Sequence, residues 1–380
     1  MYPLAVRATE RLARVLTVFP HAGGRLGPPR HVVNDVAAFA RLPGVEMRHV
    51  APSVSGHHVL PSSDGPPVSE FTAHAAYELP PVYLLTIDSG SVLGVDAAVI
   101  GPHDTFFAGV ANRVTTHRAS YPALRRLWRP SARRVSGRVV VIATAYADFY
   151  YHWLTEALAR CWVLGDELGD ADAVVAPASK PFQAESLDRL GVRRDQILAP
   201  GPGAYYQADR LIVPSLVGNM TQVRREAIRF VRRLFDVPDG ARVGDGGRRL
   251  YVSRQDDDRR RIRNEDEVLE VLGALGFEVL HPGRHSIADQ ARLFSEAELV
   301  VGPHGGGLTN VLFCPTGATV VELFAPDNLR ACFWTLASNA RLSYHYLVGR
   351  RSTSDGWLPS LWSDIDVDCD ELARVLDPWG

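Results

Sequence analysis

Three consecutive glycines follow an apolar run in the segment Gly302-Pro303-His304-Gly305-Gly306-Gly307-Leu308-Thr309-Asn310. The run Leu299-Val300-Val301 predicts a buried strand, and the apolar residues after the glycines predict a helix. Glycines let backbone N–H groups approach an anion closely, and a helix N-terminus adds partial positive charge. The pattern therefore indicates a phosphate or diphosphate site, to which His304 adds a hydrogen-bond donor. The alternative is a tight turn without a ligand, and the spacing matches neither a Walker A loop nor Gly-x-Gly-x-x-Gly.

Charged side chains are expected beside this glycine loop. Glu322 ends the β-branched strand 319–323, whose carboxyl end should reach the same sheet edge, where a carboxylate could accept the ribose hydroxyls of a nucleotide. Arg254 follows the predicted strand 249–253 and should point into the same cleft. Further polar residues stand at the start of the next helix, where the dipole favours an anion: Arg260, Arg261 and Asn264. Each residue alone is also compatible with a solvated surface position.

A second group of chemically capable residues lies in Tyr150-Tyr151-His152-Trp153-Leu154, after a strand that is predicted to end near Ile142. His152 and Glu156 are four residues apart, so on a helix the carboxylate could orient the imidazole and raise its basicity. This pair is a candidate general base. The alternatives are a packed helix start with a satisfied histidine, or a zinc site, which lacks a third ligand and the His-Glu-x-x-His pattern.

The elements that must position these residues alternate along the chain. From about residue 137 to 213, and again from 249 to 323, apolar strands alternate with amphipathic helices, which predicts two Rossmann-like domains. We place them at residues 1–220, with a β-rich start and a loop at 52–69, and at residues 221–380, with a possible hinge at 239–247. The final helix is left open to packing on either domain. Ligands of such sheets bind at the carboxyl ends of the strands.

Composition excludes several classes of protein. The 380 residues carry a net charge of −2, with 46% hydrophobic and 22% charged residues, as in ordinary folded proteins. The basic run 259–263 lacks interleaved aromatics and follows three aspartates, which argues against nucleic-acid binding. The four cysteines form no Cys-x-x-Cys pair, so neither a zinc ribbon nor a disulfide scaffold is predicted. Residues 1–18 contain no long apolar run, which favours a cytoplasmic protein without a membrane span, with peripheral membrane association left open.

Taken in order, these segments resemble glycosyltransferase family 61. The resemblance runs from about Val82 to Gly349 and rests on a set of motifs: Tyr150-Tyr151-His152-Trp153-Leu154, Tyr251-Val252-Ser253-Arg254, Arg261 with Asn264-Glu265, Gln290 before Leu293-Phe294, and Gly302 to Asn310 with Glu322. Two positions depart from the family pattern, since Phe149 stands where many relatives have asparagine and Gly306 where they have alanine.

The resemblance implies a GT-B fold, an α/β architecture in which two Rossmann-like domains face each other across a cleft. It also implies inversion at the anomeric carbon, a UDP-sugar donor as co-substrate, and a role in bacterial surface-polysaccharide assembly. No cofactor and no metal ion are expected, because arginines and backbone amides neutralise the leaving diphosphate. The predicted activity is transfer of a sugar from a nucleoside-diphosphate sugar to a hydroxyl of a glycan or other small acceptor.

This prediction assigns catalysis to His152 and Glu156. It assigns the donor to residues of the second domain: Arg254, Arg261, Asn264, His304, Gly305, Gly306, Gly307, Asn310 and Glu322. Two other interpretations remain open. A catalytically silent sugar-nucleotide-binding protein is compatible with Phe149 beside the candidate base, and an NAD-dependent oxidoreductase is compatible with Rossmann-like domains alone.

Overall fold

A computed structural model describes residues 25–61, 68–111, 120–244, 246–351 and 363–380. The chain folds into two compact units, Met1–Val54 with Pro80–Met220, and Ser55–Leu79 with Thr221–Gly380. The division after Met220 coincides with the boundary drawn from the sequence, but residues 55–79 group with the second unit rather than the first. Three predictions fall wholly or partly outside the described residues: the one for residues 1–18, that of the loop at 52–69, and that of the possible hinge, which includes residue 245.

The strands are numbered in chain order as β1 (Arg25–Leu26), β2 (His31–Val33), β3 (Val45–Ala51), β4 (Val54–His57), β5 (Ala76–Leu79), β6 (Val82–Asp88), β7 (Ser91–Leu93), β8 (Ala98–Gly101), β9 (Thr105–Phe107), β10 (Trp128–Arg129), β11 (Arg133–Val141), β12 (Ala173–Val175), β13 (Ile197–Leu198), β14 (Tyr205–Pro214), β15 (Arg248–Val252), β16 (Glu278–Leu280), β17 (Ala297–Pro303), β18 (Thr319–Phe324), β19 (Ser343–Val348), β20 (Arg350–Arg351) and β21 (Ile365–Asp366).

The α-helices are α1 (Val36–Ala40), α2 (Ser69–Ala75), α3 (Tyr150–His152), α4 (Pro181–Arg189), α5 (Arg225–Leu234), α6 (Glu265–Ala274), α7 (Ile287–Ser295), α8 (Cys332–Ala340) and α9 (Cys369–Leu376). Helix α3 continues as a π-helix over Trp153–Leu158 and a 3₁₀ helix over Ala159–Val163. The remaining 3₁₀ helices are Pro102–Asp104, Ala108–Val110, Pro122–Arg125, Gly165–Leu168, Arg194–Gln196, Pro282–Arg284, Gly306–Phe313 and Asp377–Trp379.

The first unit is built on a mixed sheet whose parallel part has the strand order β13-β12-β11-β14. Strands β6 and β7 continue it as antiparallel neighbours of β14. The apolar end of β11, Val139 to Val141, is buried and pairs with β12, as expected for a strand covered on both faces. Strands β6 and β8 lie within the part of the chain for which a β-rich start is predicted.

The second unit contains a parallel five-stranded sheet with the order β16-β15-β17-β18-β19. Its helical segments cover a core in which apolar strand residues are almost fully buried, among them Tyr251, Val301 and Val321. The last helix, α9, packs Leu372 and Leu376 into this same core and groups with the second unit. The mixed α/β class with parallel sheets is confirmed.

None of the helices in the described part of the chain is long and apolar enough to cross a membrane.

Candidate functional site

The strand order of the second unit creates a crevice between β15 and β17. In chain order the five strands lie 2-1-3-4-5, so the connections leave the first and third strands in opposite directions. Doubly wound sheets bind ligands at this point, outside the carboxyl ends of the strands. Strand β15 leads here into Ser253-Arg254, and β17 leads into His304-Gly305. The two segments singled out in the sequence therefore meet at the switch point.

The glycines of the loop are required by close contacts. A Cβ atom added to Gly305 would lie 2.1 Å from Arg254 Nη1, so the absence of a side chain lets the guanidinium lie against the loop. A Cβ at Gly302 or Gly307 would lie 2.9 or 2.8 Å from the side chain of Val252. The helix that follows, Gly306–Phe313, is a 3₁₀ helix, and the first N–H groups of a helix have no partner within it. These amides are available to an anion.

Two arginines stand at the loop. The side chain of Arg254 is 11% exposed, contacts Asp257 Oδ2 at 3.3 Å and donates to the Arg259 carbonyl. Burial is the main cause that lowers the pKa of Arg260, to about 10, and the neighbouring charge of Arg254 lowers it further. The Arg260 Nε atom is buried and has no hydrogen-bond partner among the described residues. The pair forms a cationic site in which at least one donor is unsatisfied.

His304 is held from the interior by a buried network. Its Nδ1 lies 2.5 Å from Glu322 Oε1, and the Tyr344 hydroxyl donates to Glu322 Oε2 at 2.5 Å. The imidazole ring stacks on Phe324 with the ring centroids 5.3 Å apart. Burial lowers the pKa of His304 and raises that of Tyr344. Because Nδ1 faces Glu322, a ligand can reach the ring only through Nε2.

Glu322 does not have the position expected for a ribose ligand. The residue is 0% exposed, and its two carboxylate oxygens already accept from His304 and Tyr344. We therefore correct the expectation of direct contact with ribose: the strand end faces the core, and Glu322 orients His304. Sequence analysis missed Tyr344 because the residue lies on β19, beyond the last strand that was predicted.

Asn310 is also directed inward. Its Nδ2 donates to Gln290 Oε1 at 2.6 Å and to the Gly307 carbonyl at 3.0 Å, and the residue is fully buried. Gln290 is presented by α7, which begins after Ser286, whose hydroxyl accepts the Asp289 N–H at 3.0 Å as an N-cap. Asn310 thus fastens the glycine loop to a helix instead of presenting its amide to a ligand.

The structure does not bring Arg261 and Asn264 to the glycine loop. The backbone N–H of Arg261 donates to Asp364 Oδ1 at 2.8 Å, and its guanidinium pairs with the same carboxylate at 3.5 Å. Asn264 bonds the backbone of Val367 through both its amide nitrogen and its oxygen. Both residues anchor the C-terminal segment. Arg260, one position earlier, is the arginine near Arg254, which is consistent with its left-handed backbone at φ 54°.

The second candidate group lies after the carboxyl end of β11 in the first unit. His152 Nδ1 is 2.7 Å from Glu156 Oε1, as the spacing predicted, and the carboxylate is buried. The predicted helix is present, but it changes to a π-helix at Trp153, a feature frequent at functional sites. The His152 side chain is 17% exposed, and its ring contacts those of Tyr146 and Tyr151. Its Nε2 can serve as a proton acceptor.

Glu156 is not isolated in the interior. Arg160, one turn further along, is buried, and its guanidinium donates to the carbonyls of Ala143 and Pro214. Burial lowers the pKa of Arg160 to about 10, and the charge of Glu156 opposes this shift. Glu156 therefore has a buried cation one turn along the helix and His152 Nδ1 within hydrogen-bond distance. Within the described residues, no group of three His, Cys, Asp or Glu side chains could hold a metal ion.

Comparison with known proteins relates part of the chain to a family. Residues 150–321 match the family model described as Glycosyltransferase 61, so the resemblance predicted from the motifs is confirmed over that range. The chain is 32% identical over 112 residues to the EGF domain-specific O-linked N-acetylglucosamine transferase of Mus musculus, covering 28% of this chain and 21% of the relative.

Two other relatives widen the comparison. Over 70 residues the chain is 41% identical to the protein O-linked-mannose beta-1,4-N-acetylglucosaminyltransferase 2 of Mus musculus, covering 17% of this chain and 12% of the relative. Over 246 residues it is 25% identical to the beta-1,2-xylosyltransferase XAX1 of Oryza sativa subsp. japonica, covering 57% and 43%. The chain thus spans less than half the length of each of these relatives. All three are eukaryotic, and the bacterial role stays a prediction.

Proposed function

We propose, from the match of residues 150–321 to Glycosyltransferase 61, that this protein is an inverting glycosyltransferase of GT-B architecture. It moves a sugar from a nucleoside-diphosphate sugar, with UDP as the expected nucleotide, to a hydroxyl of a glycan or other small acceptor. The names of the relatives, which describe transfer of N-acetylglucosamine or xylose, support this type of reaction. The observation that carries the proposal is the pair Arg254 and Arg260 at the switch-point loop.

The donor site follows from charge. A departing diphosphate develops negative charge, and preorganised donors aimed at such charge contribute about 3–4 kcal/mol each to the transition state. Arg254 lies against Gly305, and Arg260 remains charged at neutral pH because its pKa of about 10 is far above 7. The amides at the start of the 3₁₀ helix complete the set, whereas Nε2 of a neutral His304 whose Nδ1 donates to Glu322 can only accept a hydrogen bond. With this charge supplied by the protein, we propose that transfer needs no metal ion.

His152 is the proposed general base. Because its Nδ1 faces Glu156, the proton of the acceptor hydroxyl passes to Nε2. The hydroxyl oxygen forms a bond to the anomeric carbon as the bond from that carbon to the phosphate oxygen breaks. The electron pair of the broken bond stays on the diphosphate, where Arg254 and Arg260 stabilise it. Glu156 holds the imidazole in the required tautomer and stabilises the imidazolium.

Ligand-dependent thermal stabilisation tests the donor site. The purified protein is heated with UDP, other nucleoside diphosphates, sugar nucleotides and NAD(H), with and without EDTA. A ligand at 100 times its Kd stabilises the native state by about 2.7 kcal/mol. We expect stabilisation by a nucleoside diphosphate that EDTA does not alter and that Arg254→Ala or Arg260→Ala removes. Arg292→Ala is the matched control. Arg292 is an exposed arginine of α7 that pairs with Glu296, and Glu296 directly precedes the amino end of β17, whereas the glycine loop follows the carboxyl end.

The outcomes separate the competing functions. No response to any nucleotide would contradict the donor site, and a response to NAD(H) alone would favour an oxidoreductase. If nucleotides bind, sugar transfer is measured in His152→Ala. Loss of a general base is expected to lower the rate by about 10²–10⁴ without changing donor affinity. Transfer at the wild-type rate would refute the base assignment, and donor binding without turnover in the unmodified protein would favour a silent binding protein.

A further inference from the structure

A second cationic site lies at the other edge of the sheet of the second unit. Helix α5 and the end of α8 line a cavity of about 250 Å³ that is open to solvent, which we call the arginine cavity. Its lining residues include four arginines, Arg225, Arg229, Arg232 and Arg341. The lining residues Thr316 and Arg341 precede β18 and β19, so the cavity is at the amino ends of the strands, whereas the glycine loop follows their carboxyl ends.

The inner arginine of the cavity is held rigidly but is not neutralised by a carboxylate. Arg232 is 7% exposed, and its guanidinium donates to the carbonyls of Leu312 and Cys314, both at 2.8 Å, and of Pro238 at 3.0 Å. Burial lowers the pKa of Arg232, and the nearby charge of Asp239 opposes this shift. Carbonyl dipoles orient this cation without cancelling its charge.

The outer arginines have no acidic partner among the residues that the structure describes. Arg225 and Arg229 lie one turn apart on α5, and Arg341 caps α8 in the left-handed region at φ 61°. None of the three forms an ion pair with any residue that the structure describes. Among the described residues, Asp239 is the one carboxylate that lines the cavity, and it pairs at 3.2 Å with Arg233, which does not line it. Like charges one helical turn apart are destabilising, and a bound anion would relieve this repulsion.

We infer that the arginine cavity binds a small anion of phosphate chemistry, a function separate from the proposed donor site. Arginine presents several fixed N–H donors that match phosphate oxygens, and four such side chains suit a doubly charged group. The volume is below the roughly 300–1,000 Å³ of pockets for drug-sized ligands, so a whole sugar nucleotide does not fit. Ile228 and Ala340 add apolar wall that could contact the carbon skeleton of a phosphate ester.

The test uses the full chain and titrates inorganic phosphate, pyrophosphate and a hexose 1-phosphate against thermal stability, with potassium chloride at matched ionic strength. We expect phosphate-specific stabilisation that persists in Arg254→Ala, which disables the proposed donor site. The apparent affinity should fall by about tenfold or more in Arg229→Ala and again in the double variant with Arg341→Ala. Arg374→Ala, an exposed arginine of α9, is the control of equal charge change.

A variant that should increase phosphate affinity complements the arginine variants, which should decrease it. Asp239→Asn removes a carboxylate that lines the cavity, so it should tighten phosphate binding. Tighter binding of the hexose phosphate than of phosphate would indicate an ester as the ligand, and equal binding would indicate free phosphate. The inference is refuted if chloride stabilises equally, if the arginine variants bind phosphate as the unmodified protein does, or if the effect disappears only in Arg254→Ala. The last result would leave the proposed donor site intact.

Discussion

Substituting Gly305 by alanine should separate donor binding from folding. The added methyl would lie 2.1 Å from Arg254 Nη1, whereas ordinary van der Waals contact begins at 3.4 Å. The guanidinium must therefore retreat by more than about 1 Å, and a misplacement of that size can cost roughly 100-fold in rate. The backbone at Gly305 is extended, with φ 174°, so alanine adds no backbone strain. Replacing glycine at such a position typically stabilises a protein by about 0.4–1 kcal/mol.

Two measurements on one variant give the required contrast. Urea denaturation of Gly305→Ala should show unchanged or slightly raised stability, while nucleotide affinity and sugar transfer fall by about two orders of magnitude. Gly273→Ala is the matched control, because a Cβ at this position of α6 would meet no atom within 4 Å. It should stabilise its helix by up to about 1 kcal/mol and leave nucleotide affinity unchanged.

A double variant decides whether the effect passes through Arg254. If alanine at 305 acts by displacing this guanidinium, it should have little further effect in the Arg254→Ala background, because the clash is gone. Full activity of Gly305→Ala would refute the proposed contribution of this contact. Losses that simply add in the double variant would mean that Gly305 acts on the donor by another route.

Three further predictions concern buried groups. Tyr344→Phe deletes one of two hydrogen bonds to the buried Glu322 carboxylate and should lower the unfolding free energy of the second unit by about 1.5–3 kcal/mol in urea titrations. Burial lowers the pKa of His304 below its ordinary value of about 6.5, so below that pH the unfolded chain binds more protons than the folded protein does. The unfolding free energy should therefore fall with decreasing pH, by up to about 1.4 kcal/mol per pH unit. His304→Gln should flatten this part of the stability profile, and an unchanged slope would contradict the prediction. Burial raises the pKa of Cys161 and Cys314 to about 12, so both thiols should resist alkylation at pH 8 until urea is added, and rapid labelling of the native protein would disprove their burial.

The parallel α/β pattern was readable because periodicity survives without tertiary information. The run at 299–301 lies within β17, and the predicted strand 319–323 lies within β18. Strands that are covered on both faces need continuous apolar sequence, and amphipathic helices must turn one side to them, so each leaves a local signature. The contact between His152 and Glu156 was predictable for the same reason, because residues four apart on a helix are neighbours.

Contacts that depend on the path of the chain between elements could not be predicted from the sequence. Residues 55–79 join the second unit although they precede most of the first, and no local pattern encodes that choice. The run 259–263 contains four arginines that the local sequence does not distinguish. In the structure, a left-handed turn at Arg260 accompanies the approach of this residue to Arg254, while Arg261 pairs with Asp364. The arginines of this run differ in their backbone torsions and in partners that lie about 100 residues away in the sequence.

By itself, the sequence determined the class of fold, the strand-to-helix loop with its glycines, and the family, because these depend on residue types at short spacing. Only the tertiary structure decided the direction in which each polar side chain points. It turned Glu322 and Asn310 into the interior, where a buried carboxylate or amide must find partners, and it brought Tyr344 to one of them. Burial and pairing are properties of surroundings assembled from distant residues, which no short stretch of sequence contains.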